Sequence, residues 1–112
     1  MSNQDAQEII TCMVQRIVEQ FNPDKIILFG SRAWGTAGPD SDADLLVIMS
    51  VAGSRRKQAA RIDLALAGMG LPKDIVVVTP EEVAKYGDTV GGILRPALRK
   101  GKVLYERSTG IR

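Results

Sequence analysis

Two aspartates at the start of an apolar segment, Asp42 and Asp44, have the spacing that most directly suggests chemistry. Successive side chains of a strand alternate between its faces, so both carboxylates are predicted on one face with Cα atoms about 6.6 Å apart. Two like charges on one face repel each other unless a cation neutralises them. Because oxygen-only ligands favour Mg²⁺ or Mn²⁺ over Zn²⁺, the pair predicts a site for a hard divalent cation.

A third carboxylate, Asp74, begins a valine-rich segment further along the chain. If that segment is a strand beside the one carrying Asp44, three carboxylates meet at the end of a sheet, as two-metal phosphoryl transfer requires. Upstream, Gly30 allows close backbone approach to a phosphate, and N–H groups at a helix start can bind it. The Ser31 hydroxyl adds a donor, and the Arg32 guanidinium can pair with phosphate oxygens.

The elements that position these residues follow from apolar spacing and turn residues. A helix is predicted where an apolar stripe runs from Ile9 to Phe21, and Pro23 ends it. Strands are predicted at residues 25–29, 42–49, 74–78 and 102–106, helices at 54–67, from Thr79 and at 92–100, and a loop with one helical turn at 30–41. This order predicts an α/β (α+β) fold, a small mixed sheet of about four strands flanked by helices. One domain is expected over residues 1–106, with a flexible tail at 107–112.

Composition excludes several other chemistries. The 112 residues contain no histidine, which rules out Ser-His-Asp and Cys-His mechanisms and histidine metal sites. The single cysteine, Cys12, cannot form an internal disulfide or a zinc cluster, and its place beside the helical stripe predicts a packed thiol. No apolar segment approaches the ~20 residues that cross a bilayer, and the N-terminus does not resemble a signal peptide, so a cytoplasmic protein without membrane contact is expected. A net charge of +2 is too small to predict direct nucleic-acid binding.

The combined motif resembles a known family. Gly30-Ser31, ten residues and then Asp42-Ala43-Asp44, followed by an apolar strand and a later strand aspartate, is similar to the nucleotidyltransferases of the DNA polymerase β superfamily. The fuller string, Gly-Ser-Arg-Ala-x-Gly to Ser-Asp-x-Asp-Leu-Leu-Val, resembles the short stand-alone branch, the minimal nucleotidyltransferases. The resemblance extends roughly from Ile9 to Glu106, because segments 74–82 and 101–105 also match that branch.

The resemblance implies a polymerase β-like fold and transfer of a nucleoside monophosphate from an NTP to a hydroxyl, with release of pyrophosphate. The implied catalytic and metal-binding residues are Asp42, Asp44 and Asp74, with two Mg²⁺ ions, or Mn²⁺, and with Asp74 also helping to deprotonate the acceptor. The implied nucleotide-binding residues are Gly30, Ser31, Arg32 and Ser41, of which Ser41 also suits a turn or the orientation of the metal ligands.

The resemblance also implies a partner. Many minimal members are encoded beside a small helical HEPN toxin of RNase type, and studied branches act as antitoxins by transferring AMP from ATP to a tyrosine of that toxin, which implies a hetero-oligomer here. Two alternatives remain open: a binding module that neutralises its partner by contact, and a nucleotidyltransferase that acts on RNA or on a small molecule.

Two further features have two interpretations each. Trp34 either fills the core or stacks on a nucleotide base. The basic residues of the predicted helix 54–67 form either a solvated face or a contact for an acidic partner or RNA; they are Arg55, Arg56, Lys57 and Arg61. Thr79, Pro80 and Glu82 are typical of a capped helix N-terminus.

Overall fold

The computed structural model describes residues 3–38 and 41–107, and its elements follow the predicted order. They are α1 (Asn3–Phe21), β1 (Lys25–Phe29), α2 (Ser31–Trp34), β2 (Ala43–Ile48), α3 (Arg55–Ala65), β3 (Lys73–Val78), α4 (Pro80–Tyr86), α5 (Leu94–Lys100) and β4 (Lys102–Glu106). The second strand begins one residue later than predicted, so Asp42 immediately precedes β2. Of the predicted tail at 107–112, residues 108–112 lie outside the described residues. Arg107 itself donates its backbone N–H to the Asp24 carbonyl at 2.8 Å.

The four strands form one mixed sheet in the order β3-β2-β1-β4, which confirms the predicted fold class. β1 is antiparallel to both β2 and β4, whereas β2 and β3 are parallel. The register places Phe29 opposite Asp44, and Asp44 opposite Asp74. The ends of three neighbouring strands therefore lie side by side at the end of the sheet where the sequence predicted a site.

Both faces of the sheet are covered, which explains why its central strands are nearly continuous apolar segments. Side chains of α1 and α3, such as Met13, Ile17 and Ile62, pack in one cluster with Leu45 on the first face. On the second face, α5 contributes Leu94 and Ala97 to a smaller cluster; its sheet members include Ile27, Phe29, Leu46 and Ile48. Within the described residues, no helix is both long and apolar enough to span a membrane.

The prediction of a packed thiol at Cys12 is wrong, because the side chain is exposed. The most deeply buried side chains of α1 lie on a line from Ala6 through Ile10 and Met13 to Ile17. A residue one position before Met13 is rotated by about 100° from that line around a helix of 3.6 residues per turn. Cys12 is therefore on the solvent side of the stripe.

The N-terminus of α4 has the capping box that the sequence predicted. The Thr79 hydroxyl accepts a hydrogen bond from the Glu82 backbone N–H at 3.2 Å, and the Glu82 carboxylate accepts one from the Thr79 N–H at 2.9 Å. The Thr79 N–H is also the main reason why the pKa of Glu82 is lowered. Local side-chain chemistry therefore fixes where this helix begins.

We expect Thr79→Ala to lower the free energy of unfolding by about 1 kcal/mol at neutral pH, because it leaves a helix N–H without its acceptor. Ser54→Ala, which removes the simpler cap of α3, is the matched control and should cost less. Urea unfolding of both variants measures the difference.

Because the folded-state pKa of Glu82 is lowered, the stability that its carboxylate contributes is complete above its ordinary value of 4.5 and is lost as pH falls through the lowered value. Glu82→Gln should thus converge with the wild type in acid; a constant difference would contradict this assignment.

Candidate functional site

Gly30 lies between β1 and α2 and has a backbone conformation that only glycine adopts readily. Its φ is 76° and its ψ is −160°, in a region where a Cβ would be strained. A Cβ at this position would also lie 2.2 Å from Oδ2 of Asp44. Glycine therefore suits this position for two reasons: its φ strains any other residue, and an added Cβ would make the Asp44 carboxylate move.

The turn that follows Gly30 is short and well bonded. The Gly30 carbonyl accepts hydrogen bonds from the N–H groups of Ala33 and Trp34, both at 3.1 Å. This turn places Ser31, which is half-buried, at the first position of α2. The predicted helical turn is confirmed, and it begins at the residue that was predicted to meet a phosphate.

Three carboxylates lie around the same end of β2 and β3. Asp44 and Asp74 are paired in the parallel register, and Asp42 directly precedes β2. Strand alternation places Asp44 and Asp74 on the face that also carries Leu46 and Ile48. β2 and β3 are neighbours, as the predicted meeting of Asp44 and Asp74 requires.

The negative charges of the site act on Asp44. The pKa of Asp44 is raised, first by its partial burial and then by the negative charges of Asp74 and Asp42. Asp44 is half-buried, whereas the other two are exposed. Ionising Asp44 therefore costs free energy, because its carboxylate is partly desolvated and lies near two other negative charges. A bound cation would remove this cost.

The three carboxylates do not, however, converge on one point. Among residues 3–38 and 41–107, no group of three or more Asp, Glu, Cys or His side chains is arranged to hold a metal ion. Mg²⁺ rarely has an all-protein cage, and it is usually bound by one or two carboxylates together with water and substrate phosphates. The oxygen-only donor set and the crowded charge at Asp44 fit such a shared site.

Arg32 and Ser41, two predicted nucleotide-binding residues, are linked to each other. Nε of Arg32 donates to the Ser41 carbonyl at 2.9 Å, and the Ser41 hydroxyl accepts from the Gly38 N–H at 2.9 Å. These bonds join α2 to the chain entering β2, with residues 39 and 40 outside the described residues. No pattern in the sequence predicts this link, which positions Ser41 directly before Asp42.

The structure excludes one of the two interpretations of Trp34. The Trp34 side chain is 48% exposed, so the prediction that it fills the core is wrong, and stacking on a base stays a prediction. All four basic residues of α3 are exposed, consistent with a solvated face. Arg55 forms an ion pair with Glu82 of α4, so this cation is not wholly available to another molecule.

Comparisons with known proteins concern the family and the fold of this chain. Residues 11–103 match the family model described as "Nucleotidyltransferase domain". No curated protein matches the sequence. A crystal structure of a candidate nucleotidyltransferase from Sulfolobus solfataricus is similar, with a TM-score of 0.65 and 18% identity over 94% of this chain and 84% of that one. A toxin-antitoxin structure with AMP-PNP has a TM-score of 0.57 and 22% identity over 88% of this chain and 74% of the other. At these identities, both structures show a shared fold.

Proposed function

The chain belongs to the nucleotidyltransferase domain family, and we propose from this that it transfers AMP from ATP to a hydroxyl of a partner protein. The proposed acceptor is a tyrosine of a small helical HEPN-type toxin in the cytoplasm, so that the transfer makes this chain an antitoxin. The observation that carries the proposal is the crowded Asp44 carboxylate, held against Gly30 and opposite Asp74.

The reaction assigns a separate task to each part of the site. The acceptor oxygen forms a bond to the α-phosphorus of ATP, the bond from that phosphorus to the bridging oxygen breaks, and pyrophosphate leaves. The proton of the hydroxyl passes to the exposed Asp74 carboxylate and then to water. Gly30 allows the triphosphate close to the backbone, and Ser31 donates its hydroxyl to a phosphate oxygen.

Asp42, Asp44 and Asp74 are the residues proposed to hold the metal. Two Mg²⁺ ions, or Mn²⁺, would neutralise the developing charge on the phosphates and on the leaving pyrophosphate. The carboxylates are negative like the phosphates, so they could hold the nucleotide only with such cations bound, and the bond from Arg32 to the Ser41 carbonyl ties α2 to the residue before Asp42. Removal of divalent cations with a chelator should therefore abolish transfer.

One similar structure supports an adenine nucleotide and a partner protein. The toxin-antitoxin structure was determined with AMP-PNP, an ATP analogue, and its name pairs a toxin with an antitoxin. The acceptor that we propose is therefore a residue of a partner subunit.

A second function, a binding module that neutralises its partner by contact alone, is favoured by one observation. The three carboxylates do not converge on a common point in the described part of the chain. This alternative predicts that protection from the toxin needs the surface of the chain but none of its aspartates.

The test is to incubate the purified protein with the product of its neighbouring gene, Mg²⁺ and each NTP, and to measure the intact mass of both chains. We expect one or more AMP units on the partner with ATP, and none after Asp42→Asn. A stable complex that gains no adduct with any NTP would overturn the proposal in favour of the binding module.

A further inference from the structure

The outer edge of β3 has backbone groups that no described segment pairs. β3 ends the sheet, with only β2 beside it. The carbonyls of Pro72 and Val78 both accept hydrogen bonds from the β2 side, at 2.9 and 3.0 Å. Because these directions alternate along a strand, the N–H and C=O groups of Ile75 and Val77 point outwards. Nothing in the described part of the chain bonds to them.

The two edges of the sheet differ in a way that selects β3. The pairing of β4 with β1 shifts register between Ile26 and Ile27, and such a bulge discourages the addition of another strand. β3 is regular over its six residues and rich in valine. A regular β-branched edge is suited to pairing with an extended segment of another chain.

A groove of about 560 Å³ runs along this edge. Its lining includes Ile75, Val76 and Val77 of β3 and Arg55 and Arg56 of α3. Arg56 is exposed and has no ion-pair partner among the described residues. The groove therefore offers main-chain partners, apolar side chains and an available positive charge.

The edge of β3, rather than the groove itself, also reaches the site. Asp74 directly precedes Ile75, so a strand added along β3 extends to the carboxylate that we assign to the acceptor proton. The distance along the strand from Val77 to Asp74 is three residues, about 10 Å at ~3.3 Å per residue. Asp74 and α3 lie on opposite faces of the sheet, and the side chains of an added strand alternate between those faces. Residues three positions apart in one bound segment can therefore contact Arg56 and place a hydroxyl at Asp74.

We propose that the acceptor is an extended polypeptide segment that docks as an added strand on β3, with an acidic residue at Arg56 and its hydroxyl residue beside Asp74. The acid lies about three positions from the hydroxyl residue. This inference rests on the proposed nucleotidyl transfer for the role of Asp74. The docking itself depends only on the β3 edge and on Arg56.

Binding is tested with a short fluorescein-labelled peptide that contains one tyrosine, β-branched neighbours and a glutamate three residues from the tyrosine. We expect Arg56→Glu to weaken its binding about tenfold in fluorescence anisotropy, because the contact becomes repulsive. Lys57→Glu makes the same charge change on the next residue of α3, which does not line the groove, and should change binding less than twofold. Replacing the peptide glutamate by lysine should restore binding to Arg56→Glu.

Amide hydrogen exchange locates the peptide directly. Bound peptide should slow exchange at the N–H groups of Ile75 and Val77 in the wild-type protein. Absence of binding, binding without this protection, or equal losses in Arg56→Glu and Lys57→Glu would overturn the docking proposal. A short RNA that competes with the peptide and responds equally to both variants would overturn it in favour of nucleic acid.

The same peptide separates this inference from the proposed function. With Mg²⁺ and ATP, we expect AMP on the tyrosine, a raised KM in Arg56→Glu and an unchanged kcat. A peptide that protects Ile75 and Val77 but never gains AMP would contradict the proposed transfer and support the docking. Transfer with a KM that Arg56→Glu leaves unchanged would contradict the docking alone.

Discussion

Replacing Asp44 by asparagine should abolish nucleotidyl transfer and, at the same time, stabilise the protein without its ligands. The loss of activity is expected to be about 10²–10³-fold or more, the size seen when a charge-stabilising group is removed from an active site. The gain in the free energy of unfolding should be about 0.2–1 kcal/mol, because like charges directly opposite in a sheet repel each other and Asp44 faces Asp74. A carboxylate that lowers the stability of the free protein is typical of a functional site.

The difference in stability between the wild type and Asp44→Asn should depend on pH. The folded-state pKa of Asp44 is raised above its ordinary value of 3.8, by burial first and then by Asp74 and Asp42. Below that ordinary value the carboxyl is protonated in both states, so wild type and Asp44→Asn should be equally stable there. The wild type should become the less stable of the two as pH rises through the raised pKa, and the difference should remain above it.

Thermal unfolding with and without MgCl₂ measures this difference. Mg²⁺ should raise the Tm of the wild type and leave that of Asp44→Asn unchanged. Asp88→Asn, at an exposed residue of the α4–α5 connection, is the control and should retain both transfer and the Mg²⁺ response. An Asp44→Asn protein that is destabilised, or that still responds to Mg²⁺, would contradict the role given to this carboxylate.

Gly30→Ala should also eliminate most transfer, for a steric reason. The added Cβ would lie 2.2 Å from Oδ2 of the Asp44 carboxylate, and the alanine would have to adopt a strained φ of 76°. We expect the free energy of unfolding to fall by about 1–3 kcal/mol from backbone strain alone, with the displacement of the carboxylate in addition. The Asp44 carboxylate must move away, and the metal and phosphate would lose their alignment.

Gly35→Ala separates the strain from the contact. Gly35 has a similar φ of 81°, but no atom lies within 4 Å of the position that a Cβ would take there. This variant should lose about 1–2 kcal/mol and retain transfer. A double-mutant cycle of Gly30→Ala with Asp44→Ala is measured by urea unfolding. Gly30→Ala should lower the free energy of unfolding by less in the Asp44→Ala protein than in the wild type, because removing the carboxylate relieves the clash. Equal activity losses in Gly30→Ala and Gly35→Ala would contradict this explanation.

The sequence was sufficient for the parts of the site that depend on local periodicity. The apolar spacing predicted a strand that begins near Asp42 and Asp44, and the helix between this strand and Asp74 is the connection that parallel neighbouring strands need. Because β2 begins at Ala43, a shared face for Asp42 and Asp44 stays a prediction. The capping box at Thr79 was predictable because all its atoms lie within four residues. These features require no knowledge of distant contacts.

Other parts depend on register and on which helix faces meet the sheet. The contact of Gly30 with Asp44 follows from the pairing of Phe29 with Asp44, which spacing along the chain does not determine. The exposure of Cys12 depends on the narrow line along which α1 is buried. The Arg32–Ser41 bond likewise needs the loop to fold back onto α2.

The central claim, nucleotidyl transfer at Asp44, is tested most directly with ATP labelled on either the α- or the γ-phosphorus. The protein, its neighbouring gene product and Mg²⁺ are incubated with each label, and the radioactivity retained on protein is counted. Label from the α-phosphorus should enter the partner, label from the γ-phosphorus should leave with pyrophosphate, and Asp44→Asn should transfer neither. Retention of the γ-label, or equal α-label transfer by Asp44→Asn, would contradict the claim.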